Sequence, residues 1–282
     1  MKTRDTFARR SNTLTIVDAL SDDVIRRLVT LYGDFIAENG EAIGTPDLVL
    51  PNGDFFPDDF ERDADSVVSL LRRMLSYAPL SPDLDIRLRF LEADEENASS
   101  CGPCGCGPTA KDGAKAGGVT ETDNGYLIDL NVADVGHATV LTTALARAIG
   151  EIVVSEAGDD VAPRAIAVRA EVAAVASGFG VLLANGAYIY GKSCGGARVV
   201  QATRLSVEEI THLLALFARH HELKPSQARA ELDTTAREAF DAALAWVDSN
   251  REIATALRDH PASLAAGYFK IQPTRLLGRL FA

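Results

Sequence analysis

Three cysteines lie close together in the chain with a spacing typical of metal ligands. Cys101 and Cys104 form a Cys-x-x-Cys pair, and Cys106 follows two residues later. Such a pair on a Gly/Pro-rich turn can place two thiolates on one tetrahedral Zn²⁺, and the neighbouring glycines let the backbone fold around a small ion. Cys194, in a second Gly-rich stretch, could supply a fourth ligand. The sequence therefore predicts a candidate structural zinc site.

Two other interpretations of these cysteines stay open. A redox-active Cys-x-x-Cys normally lies at the start of a helix in a thioredoxin-like context, and no such context surrounds Cys101. Alternatively, the thiols lie on a surface loop and have no defined role. A disulfide framework is not expected in a cytosolic chain of this size.

Histidines and glutamates at helical spacing form a second group of candidates. Glu209 and His212 make a Glu-x-x-His motif, but a di-iron carboxylate site needs a second copy and two further glutamates. We therefore expect this pair to lie on a solvated helix face. His220 and His221 end the same predicted helix, where the helix dipole favours positive charge. No phosphate loop, nucleophile elbow or Ser/His/Asp spacing stands out.

Hydrophobic periodicity places these groups on a mixed α+β framework. Alternating apolar residues predict two strands, 85–91 and 126–132, that pair with each other. Between them, residues 93–125 form an unusually long excursion that carries the three clustered cysteines. Apolar residues at helical spacing, together with a capping box that begins at Ser206, predict the helices. The predicted helices are 21–38, 63–77, 138–157, 164–190, 206–221, 226–249 and 251–260.

The composition predicts a single α+β domain over residues 1–282. Helices and the first strand occupy 1–92, the Cys/Gly-rich loop 93–125, and a strand followed by helices 126–282. The net charge of −12 disfavours nucleic acid and anionic lipid as partners. No secretory signal is recognised, and glycine and polar residues interrupt the most apolar stretch, so we expect a cytoplasmic protein without a membrane partner.

Several segments come in an order that resembles an uncharacterised bacterial family with a zincin-like, zinc-metallopeptidase-like core. The resemblance covers roughly residues 45–250. It implies a zincin-like fold, with a helix on which a His-Glu-x-x-His motif holds Zn²⁺ and supplies the general base. The segments that carry it are Leu50-Pro51, Phe55-Phe56-Pro57, the 67–75 helix, the 85–91 strand and the block from Gly178 to Asn185.

The chain departs from the family pattern where the catalytic residues would lie. Aligned on Thr143, the first His, the Glu and the second His of the motif fall on Ala146, Arg147 and Gly150, and none of these can do the same chemistry. The resemblance therefore implies a pseudoenzyme, a non-catalytic binding or scaffold protein with an unknown protein partner. Arg147 and Glu151 are four residues apart and could form an ion pair instead.

Two alternative functions remain. The first is a structural zinc protein that uses the four cysteines. The second is an enzyme that uses an isolated carboxylate, Glu171 or Glu151, as its acid or base. In addition, Gly178 and Gly180 interrupt a predicted helix, each at a cost of about 1 kcal/mol relative to alanine. We expect the close approach of another helix at these glycines.

Overall fold

The computed structural model describes residues 20–92, 118–158, 163–193 and 196–274. Within these ranges the protein has a mixed α+β fold that is mostly helical, as predicted. In chain order the elements are α1 (Asp22–Ile43), α2 (Ala64–Leu75), β1 (Asp85–Leu91), β2 (Gly118–Thr122), β3 (Gly125–Asn131), α3 (Val132–Val135), α4 (Ala138–Glu156), α5 (Pro163–Ala174), a π-helical turn (Val175–Phe179), α6 (Gly180–Gly186), β4 (Ile189–Ser193), β5 (Gly196–Val200), α7 (Val207–His220), α8 (Pro225–Glu231), α9 (Thr234–Ser249), α10 (Arg251–Asp259) and α11 (Pro261–Ala265).

The larger sheet has the strand order β1-β3-β2. The predicted pairing of the first two strands is confirmed, because β1 pairs with β3 in parallel. β3 is central, and its alternate residues Tyr126, Ile128 and Leu130 are buried. β2 pairs with the other edge of β3 in antiparallel register, so the predicted excursion extends too far at its C-terminal end. Strand β2 was not predicted because its sequence, Gly-Val-Thr-Glu-Thr, lacks the alternation that marks a half-buried strand.

Helix α4 lies at the centre of the fold and contacts both the sheet and helix α5. The two helices approach each other closely at Gly150. A Cβ atom at this position would lie 2.0 Å from the carbonyl oxygen of Ala170, well inside van der Waals contact. The two helices can therefore pack this closely only because residue 150 has no side chain.

The predicted helix 164–190 is interrupted by the π-helical turn. Gly178 has a φ of 96°, and a Cβ atom there would lie 1.9 Å from the carbonyl oxygen of Asp47. The Gly178 carbonyl accepts a hydrogen bond of 3.0 Å from the Val49 amide. Gly180 packs against Leu214 of α7. The expected close approach is therefore present at both glycines, although an extended segment and not a helix approaches Gly178.

Two other sequence predictions are wrong. The predicted helix 226–249 is two helices, α8 and α9, because the side chain of Asn185 donates to the Glu231 carbonyl and accepts from the Asp233 amide between them. The β4–β5 hairpin was not predicted, and the helix before it ends at Gly186 instead of 190. Tyr, Ile and Val residues around a Gly-Gly pair are the hairpin signal that periodicity alone overlooked.

Two helical stretches, Ala138–Glu156 and Ala165–Gly186, are long and apolar enough to cross a membrane by length and composition. However, 61% and 78% of their apolar windows are buried within the protein. Core helices of globular proteins have the same properties, so these stretches do not by themselves indicate a membrane protein. The cytoplasmic location stays a prediction.

Candidate functional site

A cleft of about 520 Å³ lies between the 51–60 segment, helix α2, the first turns of α4 and helix α6. Its size is within the range of small-molecule sites. The residues that line it are Pro51, Asn52, Gly53, Phe56, Asp58, Asp59, Phe60, Ser66, Ser69, Leu70, Arg73, Ala138, Thr139, Leu141, Thr142, Leu182 and Asn185.

Local hydrogen bonds hold the 51–60 segment in a turn beside the cleft. The Phe56 amide donates to the Asn52 carbonyl at 2.9 Å, and the Asn52 side chain donates to Glu231 at 3.1 Å. The hydroxyl of Tyr77 donates to the Phe55 carbonyl at 2.9 Å, and the two rings contact each other edge to face. The wall is therefore anchored to the turn that follows α2 and to α8.

Helix α2 presents four side chains to the cleft at helical spacing. These residues lie on one face because three and four residues each complete about one turn. They are Ser66, Ser69, Leu70 and Arg73. Their helix begins with a regular N-cap, in which the carboxylate of Asp63 accepts from the Ser66 amide at 2.8 Å.

The floor of the cleft is apolar and its mouth is polar. Leu141 and Leu182 form the buried floor, and Phe60 lies exposed at the rim. At the mouth, the guanidinium of Arg73 donates to both carboxylate oxygens of Asp58, at 2.9 and 3.2 Å from Nη2. These hydrogen bonds raise the pKa of Arg73 above its usual value. Among the described residues, no histidine or cysteine lines the cleft.

A buried ion pair joins α4, the helix that would carry the zinc motif, to α5. Nε of Arg147 is 2.9 Å from Oε1 of Glu171, whose side chain is fully buried. The carboxylate also accepts the amides of Arg204 at 2.7 Å and Leu205 at 2.8 Å. Burial raises the pKa of Glu171, while these hydrogen bonds and Arg147 act in the opposite direction. The predicted pairing of Arg147 with Glu151 is therefore wrong.

Glu151 lies on α4, one turn after Arg147, and is partly buried. Burial raises the pKa of its carboxyl group, and the nearby charge of Arg147 opposes that shift. Neither Glu151 nor Glu171 lines the cleft. The structure therefore does not bring either carboxylate of the alternative enzyme hypothesis to this site.

The positions that correspond to the zinc-binding histidines are packing positions. Ala146 is fully buried, and Gly150 abuts the backbone of α5. Arg147, between them, also donates from Nη1 to the Ala202 carbonyl at 3.1 Å. A histidine at position 150 would collide with the carbonyl of Ala170, because even a Cβ atom has no room there.

The predicted cysteine site lies outside the described residues. Cys101, Cys104 and Cys106 belong to the segment 93–117, and Cys194 belongs to 194–195. The zinc site therefore stays a prediction. Within the described ranges, no group of three or more His, Cys, Asp or Glu residues is arranged to hold a metal ion.

The histidines of α7 are more buried than the sequence predicted. His212 is 3% exposed and packs against Trp246 with ring centroids 4.5 Å apart. Burial lowers the pKa of His212 to about 4, so the expected solvated helix face is wrong. Burial, and then the charges of His221 and Arg258, lower the pKa of His220 to about 4. His220 is therefore neutral at pH 7, and stabilisation of a positive charge by the helix dipole does not explain it.

Comparison of the chain with protein-family models, with curated proteins and with solved structures gives no significant match. The zincin-like resemblance therefore rests on the sequence motifs alone.

Proposed function

We propose that this protein is a non-catalytic binding protein whose cleft takes a small ligand with an apolar body and a polar end. The observation that carries the proposal is the combination of a buried leucine floor with a charged mouth. Binding sites for small molecules are concave, mostly apolar and supplied with a few polar groups that orient the ligand.

The ion pair at the mouth is suited to exchange partners with a ligand. The side chains of Arg73 and Asp58 are 37% and 54% exposed. Exposed ion pairs contribute little to stability because water screens them, so a ligand group can replace either partner at small cost. Ser69 of α2 and Thr139 of α4 also line the cleft, and their hydroxyls offer further hydrogen bonds.

The residues of the sequence resemblance also support this site. Pro51 and Phe56 from the first motif, Leu70 from the following helix and Asn185 from the last block all line the cleft. A degenerate peptidase would keep a substrate groove after its metal ligands were replaced. In this proposal the cleft is such a groove, and the missing metal ligands make the protein a binder.

Catalysis receives less support from the same geometry. General acid–base chemistry near neutral pH needs a group whose pKa lies near the operating pH. Asp58 is engaged by Arg73, and the described lining has neither His nor Cys. Glu171 is held by two backbone amides and Arg147 away from the cleft.

The experiment is a titration with anilinonaphthalenesulfonate, a fluorescent probe with an apolar body and an anionic end. Ser69→Trp places a large side chain in the cleft from an exposed position of α2, and we expect at least a tenfold loss of affinity. The matched control is Arg72→Trp, on an exposed part of the same helix outside the cleft lining. Equal probe binding by the parent and by Ser69→Trp would exclude the cleft as the site.

A further inference from the structure

The leucine floor of the cleft is shielded from solvent, although its side chains line the cavity. Leu141 is 0% exposed and Leu182 is 2% exposed, yet both belong to the lining. Water therefore scarcely reaches either side chain in this arrangement of the wall. A ligand whose apolar body rests on these leucines can reach them only if part of the wall moves.

The segment 51–60 is the part of the wall that contains no helix or strand. Its backbone hydrogen bonds are local, as in the bond from the Phe56 amide to the Asn52 carbonyl. Fixed points lie on either side of it, because the Val49 amide is bonded to the π-helical turn and Asp63 caps α2. The other walls belong to helices, whose movement would break many more contacts. The segment can therefore move between its fixed points while the helices stay in place.

Three side-chain contacts hold the segment against the helical body. The amide of Asn52 and the hydroxyl of Tyr77 each make one partly buried hydrogen bond. The third contact, the pair of Asp58 with Arg73, lies at the mouth with both side chains exposed. Water and salt weaken an exposed pair more than a partly buried contact. We therefore expect the segment to detach first at Asp58.

Backbone strain lies at the same end of the segment. Arg62 has a φ of 64°, in the left-handed region that residues with a Cβ atom rarely adopt. The chain is fixed on both sides of it, because the Glu61 amide donates to the Ser66 hydroxyl and Asp63 caps α2. Strained residues of this kind persist only where neighbouring contacts hold them, and they cluster at ligand clamps and switches. Detachment of Asp58 lets Arg62 relax, which offsets part of the cost of opening.

We propose that residues 51–60 form a lid that opens at its Asp58 end, admits the ligand to the leucine floor and closes over it. This inference rests on the proposed function, because it concerns entry into the same cleft. Opening breaks the ion pair with Arg73 and relaxes the backbone at Arg62. Lids that cover a site can limit the rate at which it is filled. The ion pair at the mouth therefore sets the rate of ligand entry.

The experiment mixes the full chain with anilinonaphthalenesulfonate in a stopped-flow fluorimeter and follows the association rate against probe concentration. A lid that must open before the probe reaches the floor gives an observed rate that reaches a plateau. Asp58→Ala should raise this plateau about threefold, the modest effect expected of an exposed ion pair. Added salt should raise the plateau of the parent but not that of the variant, because salt screens the pair.

The matched control is Asp54→Ala, which removes a carboxylate from an exposed position of the same segment outside the cleft lining, and it should keep the parent's plateau. A rate that rises linearly with probe concentration, while Ser69→Trp weakens binding as expected, overturns the lid and leaves the proposed function intact. Equal plateaus for Asp58→Ala and Asp54→Ala do the same. Absence of probe binding, or binding that Ser69→Trp does not weaken, overturns both the lid and the proposed function.

Discussion

Glu171 on helix α5 is fully buried, and its carboxylate lies 2.9 Å from Nε of Arg147 on helix α4. The same carboxylate accepts two backbone amides from the segment that follows the hairpin. A buried ion pair adds little net stability compared with apolar packing, but its geometry fixes which segments meet. Here it joins α4 and α5 to residues 202–205.

Removal of the arginine from this pair should destabilise the protein. Arg147→Met leaves the buried Glu171 without its counter-ion, and we expect a loss of about 3 kcal/mol in the free energy of unfolding, measured by urea denaturation. The control is Arg229→Ala, which breaks an exposed, solvent-screened pair with Asp241 and should leave the free energy of unfolding nearly unchanged. Equal losses in the two variants would show that the buried pair has no special role.

Stability should fall between pH 6.5 and about 4 because His212 is buried in its neutral form. Its folded pKa lies below its unfolded pKa, so the unfolded chain gains a proton first as the pH falls. The stability that neutral His212 provides is fully present above pH 6.5. Near the folded pKa the free energy of unfolding is lower by about 3 kcal/mol, since one pKa unit corresponds to about 1.4 kcal/mol.

The histidine's share of this pH dependence can be measured with His212→Leu. The variant removes a buried Nε2 that has no hydrogen-bond partner, so we expect no large loss of stability at pH 7. Between pH 7 and pH 4.5 its unfolding free energy should decline less steeply than that of the parent. Parallel pH profiles for the two proteins would contradict the prediction.

A side chain at position 150 should disrupt the contact between α4 and α5. In Gly150→Ala the new Cβ would lie 2.0 Å from the Ala170 carbonyl oxygen, so the helices must separate. Overpacking of this kind costs about 1–3 kcal/mol, and thermal unfolding would measure it. Gly53→Ala is the control, because a Cβ atom there has no neighbour within 4 Å. An unchanged melting temperature for Gly150→Ala would contradict the close contact.

The cysteine prediction is tested by metal content. Protein purified under reducing conditions without added zinc should hold about one zinc ion per chain if the four thiolates form a tetrahedral site. Cys104→Ser should then lose the metal, whereas Ser99→Ala, a neighbouring polar position, should keep it. Elemental analysis that finds no stoichiometric metal in the parent would leave the cysteines without a zinc-binding role.

Capping residues and apolar periodicity correctly predicted several helix and strand boundaries, because these boundaries depend on residues that are close in the sequence. The capping box is present as expected, with the Ser206 hydroxyl accepting the Glu209 amide and the Glu209 carboxylate accepting the Ser206 amide. Helix α4 and strand β1 begin where the pattern predicted. Caps and apolar periodicity act within about one turn or one strand, so the sequence contains the information directly.

The cleft could be predicted only in part. The sequence indicated the segments around Phe56 and Asn185 through the resemblance, but it did not place them against each other. The division of α8 from α9 was also missed. The amide of Asn185 satisfies the backbone at that break, and Asn185 lies on a helix distant in the sequence.

The sequence by itself determined the α+β class, the pairing of the first two predicted strands and the absence of a His-Glu-x-x-His motif. The tertiary structure decided that Arg147 pairs with Glu171 and not with Glu151, and that His212 is buried. The physical reason is that periodicity and capping are local, whereas burial and charge pairing depend on segments that folding brings together from distant parts of the chain.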